Sequence, residues 1–205
     1  MPKIKRIDVD LDNYDRDGIA QSQTPSGAAN LTLNGALGTT LDYGRIIGIY
    51  SGGDDSNRTF TITGTDPNGN TITETVTGPN AGTVVSTKYY KTITTIAISG
   101  AAGSAVEVGN VQTTLSAADR AIPLNTYASR APQYVVDITG TINYTIQETF
   151  DDLATLTSVV WLPLSAHTGK TADTNAAGTP GARAMRVVVN SYSDTAELQC
   201  FVSQT

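Results

Sequence analysis

Side chains with reactive chemistry are few in this chain and far apart. His167 and Cys200 are the single histidine and the single cysteine in 205 residues. A zinc site needs several such ligands at set spacings, and a cysteine nucleophile needs a nearby base. His167, alone in a small-residue stretch, therefore reads as an exposed loop histidine. Cys200 alternates with Leu198 and Val202 and reads as a small buried hydrophobe. One cysteine also excludes an internal disulfide.

Three carboxylate groupings are the next candidates. Asp8, Asp10 and Asp12 have the spacing that opens a calcium loop, but Asn13 stands at the glycine position and Ile19 at the terminal glutamate position. The interleaved Ile7, Val9 and Leu11 fit a strand with one acidic edge better. Both readings, a solvated or partner-facing acidic edge and a divalent-ion site, stay open. Glu148, Asp151 and Asp152 bracket Phe150, and paired carboxylates serve glycoside hydrolysis. Nothing in the sequence places them in a cleft, and Asp151-Asp152 suits a turn. Gly169-Lys170-Thr171 resembles the end of a phosphate-binding loop. The required glycine five positions earlier is Leu164, and no strand–loop–helix pattern surrounds it. The sequence thus contains no catalytic, cofactor-binding or metal-binding set, and the expectation is a protein that is not an enzyme.

The elements that would carry these residues read as strands. The clearest is Thr59–Gly78, TFTITGTDPNGNTITETVTG. Phe60, Ile62, Ile72 and Val76 share even positions, with threonines between them, the period-2 pattern of a half-buried strand. A two-residue Asn68-Gly69 turn would put Phe60 and Val76 on opposite faces. A three-residue loop, Pro67-Asn68-Gly69, pairs Asp66 with Asn70 and keeps the apolar set on one face. It sets Phe60 opposite Val76, Gly64 opposite Ile72 and Glu74 opposite Ile62, at an end of the face expected to be partly covered.

Further strands are expected at residues 3–12, around Leu31–Leu33, at Arg45–Tyr50 closed by Ser51-Gly52-Gly53-Asp54, at Val84–Lys91 and Thr92–Ser99 with a break near Lys91, and at Val106–Val111. Turns are expected at Gly78–Gly82 and Gly100–Ser104. Alternation stops over 113–133, where Pro123 and Pro132 appear and Ser116–Arg120 fits a short helical turn. From Tyr134 strands return, through Ile142, Tyr144 and Ile146 and an apolar run at Val159–Leu164 around Trp161. Residues 165–182 read as a long loop. Met185–Asn190 and Ala196–Ser203 read as a last hairpin. The expected fold is all-β, with two β-sandwich or barrel-like domains: 1–112 with an extended amino-terminal segment, an Ala/Pro-containing linker at 113–133, and 134–205.

Composition narrows the function classes. The net charge of −6 opposes a nucleic-acid-coating role. The amino terminus MPKIKRIDVDLDNYDRD lacks the apolar segment of a signal peptide, and no run is long enough to span a membrane. Sequons at Asn30, Asn57 and Asn143 read as by-products of abundant Asn and Thr.

The segment FTITGTDPNGNTITETVTGPNAGTVVSTKYYKTITTIAISGAAGSAVEVG resembles a recurrent segment of tailed-bacteriophage virion structural proteins: a TGTD hairpin, an ET-rich return strand, a TGPNAGT turn, an aromatic KYYKT step and a Gly-Ala turn. The upstream DRDGIAQSQTPSGAANLTLNGAL is also similar, so the resemblance covers residues 15–111. TGTINYTIQETFDD and ARAMRVVVNS in residues 137–202 are more loosely similar. The resemblance implies a virion component made in the bacterial host cytoplasm, without cofactor and in contact with the major capsid protein or other virion proteins. A homo-oligomer is expected, and the charge and hydropathy above lead to the expectation that it binds neither nucleic acid nor membrane. Head decoration (cement) and neck or tail roles both fit it. A carbohydrate-binding adhesin, with Trp161 and the 165–182 loop lining a sugar site, is the reading from another class. The opposing reading of Trp161 is core packing between Val160 and Leu162.

Overall fold

The computed structural model describes residues 3–10, 15–35, 39–110, 117–118, 121–126, 130–154, 159–193 and 196–204. They form β1 (Lys3–Asp10), β2 (Ala20–Gln23), β3 (Ala29–Asn30), β4 (Thr40–Arg45), β5 (Ile47–Asp54), β6 (Thr59–Thr65), β7 (Thr71–Thr77), β8 (Asn80–Val85), β9 (Tyr90–Ile98) and β10 (Val106–Asn110). The chain continues through β11 (Ala117–Ala118), β12 (Ile122–Pro123), β13 (Gln133–Thr139), β14 (Ile142–Thr149) and β15 (Leu162–Pro163). A single 3₁₀ turn at Ser165–His167 precedes β16 (Thr174–Ala177), β17 (Ala184–Tyr192) and β18 (Glu197–Gln204). The fold is all-β with antiparallel pairing. The chain divides into two units, Asn13–Ala117 and Met1–Asp12 with Ala118–Thr205.

In Asn13–Ala117, one strand order is β2-β10-β5-β8 and the other β4-β9-β6-β7, with β3 also on β9. Both feed one buried cluster: Ile47, Ile49, Val106 and Val108 from the first, Phe60, Ile62, Ile93, Ile96 and Ile98 from the second. Burying these β-branched side chains drives the two layers together. The chain crosses between layers at β2–β3, β4–β5, β5–β6, β7–β8, β8–β9 and β9–β10. A buried carboxylate ties one crossing: Asp55 accepts from the Ser51 hydroxyl at 2.6 Å and the Gly103 amide at 2.8 Å.

The hairpin has the expected register. Phe60 faces Val76, Gly64 faces Ile72 and Ile62 faces Glu74. Pro67-Asn68-Gly69 forms the loop, closed by Asp66 N–H to Asn70 O at 2.9 Å, with Gly69 at φ 88°. The Asp66 carboxylate accepts from the Asn68 and Asn70 amides at 2.9 and 2.8 Å. Asp66→Ala is therefore expected to destabilise this unit by about 1 kcal/mol and to raise amide exchange at residues 66–70, measured by urea unfolding and exchange mass spectrometry. Glu74 does more than end a half-covered face. It accepts from the Thr87 amide and hydroxyl, both at 2.8 Å, and from the Lys88 amide at 3.1 Å, while Lys88 Nζ donates to Thr73 O at 2.8 Å. Residues 87–88 thereby cover part of the open edge of β7, where an unpaired strand would invite association.

Several local expectations shift. The strand expected at Leu31–Leu33 lies at Ala29–Asn30, with Leu31 buried. Ser51–Asp54 does not close β5 but continues it, through an irregularity in its pairing with β8. The break expected near Lys91 falls between Val85 and Tyr90, because Ser86 turns back to bond Ile47: its hydroxyl accepts from Ile47 N at 2.9 Å. Ala117–Ala118 is a strand rather than part of a helical turn, and Ser116, Asp119 and Arg120 lie outside the described residues.

In the other unit, β1-β18-β13-β16 form one sheet, and β15-β14-β17 run side by side with β12 on β17. Residues 1–12, expected to extend from the first domain, group with Ala118–Thr205. β1 pairs with β18 along its whole length, from Lys3 opposite Gln204 to Asp10 opposite Glu197, and buries Ile7 and Val9. The last two strands are not a hairpin. β17 pairs with β14 and β12, whereas β18 pairs with β1 and β13. Both carry inward apolar sets, and each layer needs one of them. β13 and β14 also lie in different layers, joined through Gly140 at φ 78°.

Candidate functional site

Even positions of β14 continue one inward face: Ile142, Tyr144, Ile146 and then Glu148. The alternation that buries the first three buries the carboxylate too, leaving it 2% exposed. Burying a carboxylate costs several kcal/mol unless donors meet it. Here Tyr134 of β13 donates to Glu148 Oε1 at 2.7 Å, and the Thr179 amide lies 3.0 and 3.1 Å from the two oxygens. Gly178 allows this approach, since a Cβ there would lie 2.2 Å from Glu148 Oε1 and 2.5 Å from Tyr134 Cε2.

His167 stands beside this pair and is 0% exposed, not the exposed loop histidine expected. The reason is that residues 165–182 are not a plain loop. Their 3₁₀ turn ends on His167, and β16 pairs with β13 from Val136–Thr174 to Gln133–Ala177. The ring meets Tyr134 edge-on, with centroids 6.0 Å apart. Nδ1 lies 2.7 Å from Thr174 Oγ1, which lies 2.5 Å from the Tyr144 hydroxyl, and Tyr144 donates to Ala172 O at 3.1 Å. Nε2 makes no hydrogen bond among the described residues. Burial holds the His167 pKa below its ordinary value; the Ala176 carbonyl opposes this, Lys170 adds to it and Glu148 opposes it. Burial first, then the hydrogen bond to Glu148, pushes the Tyr134 phenol far up. Cys200 is buried in β18, and burial pushes its thiol up to about 12. A neutral thiol and a neutral phenol are poor nucleophiles, and the Tyr134–Glu148 hydrogen bond of this cluster joins the two layers.

The remaining candidates separate. Asp151 and Asp152 do not pair with Glu148: Asp151 Oδ2 accepts from Val160 N at 2.7 Å, and Asp152 meets Arg183 at 3.0 Å and Ala154 N at 3.0 Å. Asp8 is exposed and paired with Arg6 at 2.6 Å, while the side chains of Asp10 and Asp12 lie outside the described residues. Gly169-Lys170-Thr171 sits in the segment after the 3₁₀ turn, where Lys170 bridges Tyr144, with no helix following it. Of the sequons, Asn30 and Asn57 are exposed, and Asn143 accepts from Asn190 Nδ2 at 2.7 Å. Among the described residues, no group of three His, Cys, Asp or Glu is placed to hold a metal ion. Among them also, no helix is long and apolar enough to cross a membrane.

A surface stands out instead. Phe150, Val160 and Leu162 are 46%, 64% and 49% exposed around the edge strand β15. Trp161 between them is half-buried rather than in the core, with the Arg186 guanidinium 4.4 Å from its ring centroid. Arg186 Nε also donates to Gln147 Oε1 at 2.8 Å, which fixes the guanidinium over the indole. Large apolar side chains clustered at an exposed edge mark a contact surface. Sequence reasoning missed Tyr134, Thr174, Thr179 and Arg186. The even parity of Tyr134, Tyr144 and Glu148 with their buried neighbours was the available signal for the first cluster; nothing local pointed to Arg186.

A scan against family models finds no match, and a search of curated proteins finds none either. Among solved structures, the chain is similar to the stem and receptor binding domain of the spike protein P1 from bacteriophage PM2. Identity is 10%, the TM-score is 0.23, and the match covers 99% of this chain and 97% of that one. It is also similar to a chain in the X-ray structure of the entire lipid-containing bacteriophage PM2, at 10% identity and a TM-score of 0.22, covering 99% of this chain and 73% of that one.

Proposed function

We propose that this protein is a structural component of a phage virion, a head decoration or cement protein that stabilises the capsid lattice through protein–protein contacts and does no catalysis. The resemblance over residues 15–111 supports the virion reading. The structural observation that supports contact over chemistry is the division of labour in the unit Met1–Asp12 with Ala118–Thr205. Its buried Glu148 and His167 serve internal ties, whereas Phe150, Val160 and Leu162 face outward. Such a protein acts by burying area on a capsid subunit, and repetition over a symmetric lattice multiplies weak contacts. Its partners are the major capsid protein or other virion proteins, with self-association into a homo-oligomer.

The purified protein is expected to bind expanded capsids and raise their melting temperature, and Trp161→Ala to weaken that binding about tenfold. Particles lacking the protein yet equally heat-stable would exclude the cement role. Copy number separates the neck or tail alternative: hundreds for a lattice protein against about six or twelve for a ring. The half-exposed Trp161 also favours a second reading, a glycan-binding module. Glycan-array binding that is lost in Trp161→Ala, without capsid binding, would select it.

A further inference from the structure

Residues 165–179 cross the unit Met1–Asp12 with Ala118–Thr205 as a strap, tied down at points that are almost all polar. Tyr144 and Lys170 exchange backbone hydrogen bonds, both 2.9 Å. Tyr144 holds Ala172 and Thr174 through its hydroxyl. Thr179 is held on the Glu148 carboxylate, and the Gly178 amide donates to Pro132 O at 2.7 Å. The one wholly buried side chain that the strap's 3₁₀ turn supplies is His167. Its bond to Thr174 ties the 3₁₀ turn to the start of β16 and, through Tyr144, to β14.

Two proton arrangements are open to this chain. Either His167 Nδ1–H donates to Thr174, Thr174 to Tyr144 and Tyr144 to Ala172 O, which keeps all three bonds, or Tyr144 donates to Thr174 and Thr174 to a bare Nδ1, which gives up the bond to Ala172 O. Both use a neutral ring, and both leave Nε2 without a hydrogen bond. A second proton places a charge in this enclosed position and, in the second arrangement, also sets an N–H against the Thr174 donor. We propose that the strap is an acid-released latch: taking up a proton on His167 frees residues 165–179 from β13 and β14 while the sheets behind stay folded.

The groups around the ring set the direction. β14 supplies Glu148 and Tyr144, β13 supplies Tyr134 and the strap supplies Lys170, while Asp173 of the strap and Cys200 of β18 act on Tyr144 behind them. Burial, aided by Lys170, outweighs the Ala176 carbonyl and Glu148, which favour the charged ring. A histidine held below its ordinary value of 6.5 contributes stability above that pH and loses it as pH falls toward the lower, folded value. Ordinary carboxylates titrate below this window, and phenols, thiols and lysines above it.

The test uses the full chain. Amide exchange of residues 165–179, corrected for intrinsic rate, is compared between about pH 7.5 and pH 5. In the wild type, strap protection is expected to fall about tenfold or more while residues 59–77 are unchanged. In His167→Gln that pH dependence is expected to vanish. An unchanged wild-type strap, or the same loss in His167→Gln, overturns the latch. If the variant does not fold, wild-type nuclear magnetic resonance decides, because the single histidine makes the ring signal unambiguous. A ring that titrates at or above about 6.5 with the strap still protected overturns it; a lower titration that coincides with strap exchange supports it.

Discussion

Glu148→Ala is expected to destabilise the unit Met1–Asp12 with Ala118–Thr205 by about 3 kcal/mol, and Tyr134→Phe by about 2 kcal/mol. The alanine leaves the Tyr134 hydroxyl and the Thr179 amide without their acceptor at a buried position, and it empties part of the space between β13 and β14. The phenylalanine keeps the ring but removes one of two donors to a buried carboxylate. Because the two groups serve one interaction, the double variant should cost less than the sum of the singles. Gly178→Ala is expected to mimic Glu148→Ala with the carboxylate still present, since its methyl would clash with Glu148 Oε1 and the Tyr134 ring. Amide exchange in β13 and β14, together with urea unfolding followed at tyrosine, measures all four. Additive costs would show that the pair is not a unit.

Gly64→Ala is expected to cost the unit Asn13–Ala117 about 3 kcal/mol, lowering its melting temperature by on the order of 15 °C. Between Thr63 and Gly64 the pairing of β6 with β9 steps from Thr95 to Ile93, so one residue of β6 spans two of β9 and Thr94 is the extra one. This bulge swings the Thr92 carbonyl inward, to 1.9 Å from where a Gly64 Cβ would be. A backbone carbonyl cannot rotate aside as a side chain does, so the bulge or the strand must move. Gly64 also lies on the inward face with Phe60 and Ile62, where movement disturbs the shared core. Thr63→Ala, one residue away on the other face, is the control and is expected to change stability by less than about 0.5 kcal/mol. Equal stability of the two variants would mean the bulge is not constrained by Gly64.

The hairpin shows what could be read without a structure. Parity of Phe60, Ile62, Ile72 and Val76, with Asp66-Pro67-Asn68-Gly69 between them, was enough to select one loop length and one register. Glu148 shows the opposite situation. Its parity placed it inward, yet a glutamate between Gln147 and Thr149 is as readily a solvated strand end, and the decision rests with Tyr134 and Thr179, 14 and 31 residues away. His167 was misread because its own segment carries no alternation. Its burial comes from pairing of β16 with β13 and from the Tyr144–Lys170 bridge, neither of which is local.

By itself, then, the sequence determined what depends on neighbours along the chain: an all-β protein, most strand positions, the facing of the strongly alternating strands and the geometry of its sharpest turn. These follow from a side-chain period of two and from the few residues that tolerate turn conformations. Only the tertiary structure decided which strands meet. It set β1 on β18 from the far end of the chain, parted β17 from β18, and drew the 165–179 strap over Glu148 and His167. Many pairings satisfy the same alternation. The choice among them is made by how two apolar layers close on each other and by where each buried polar group finds its partner.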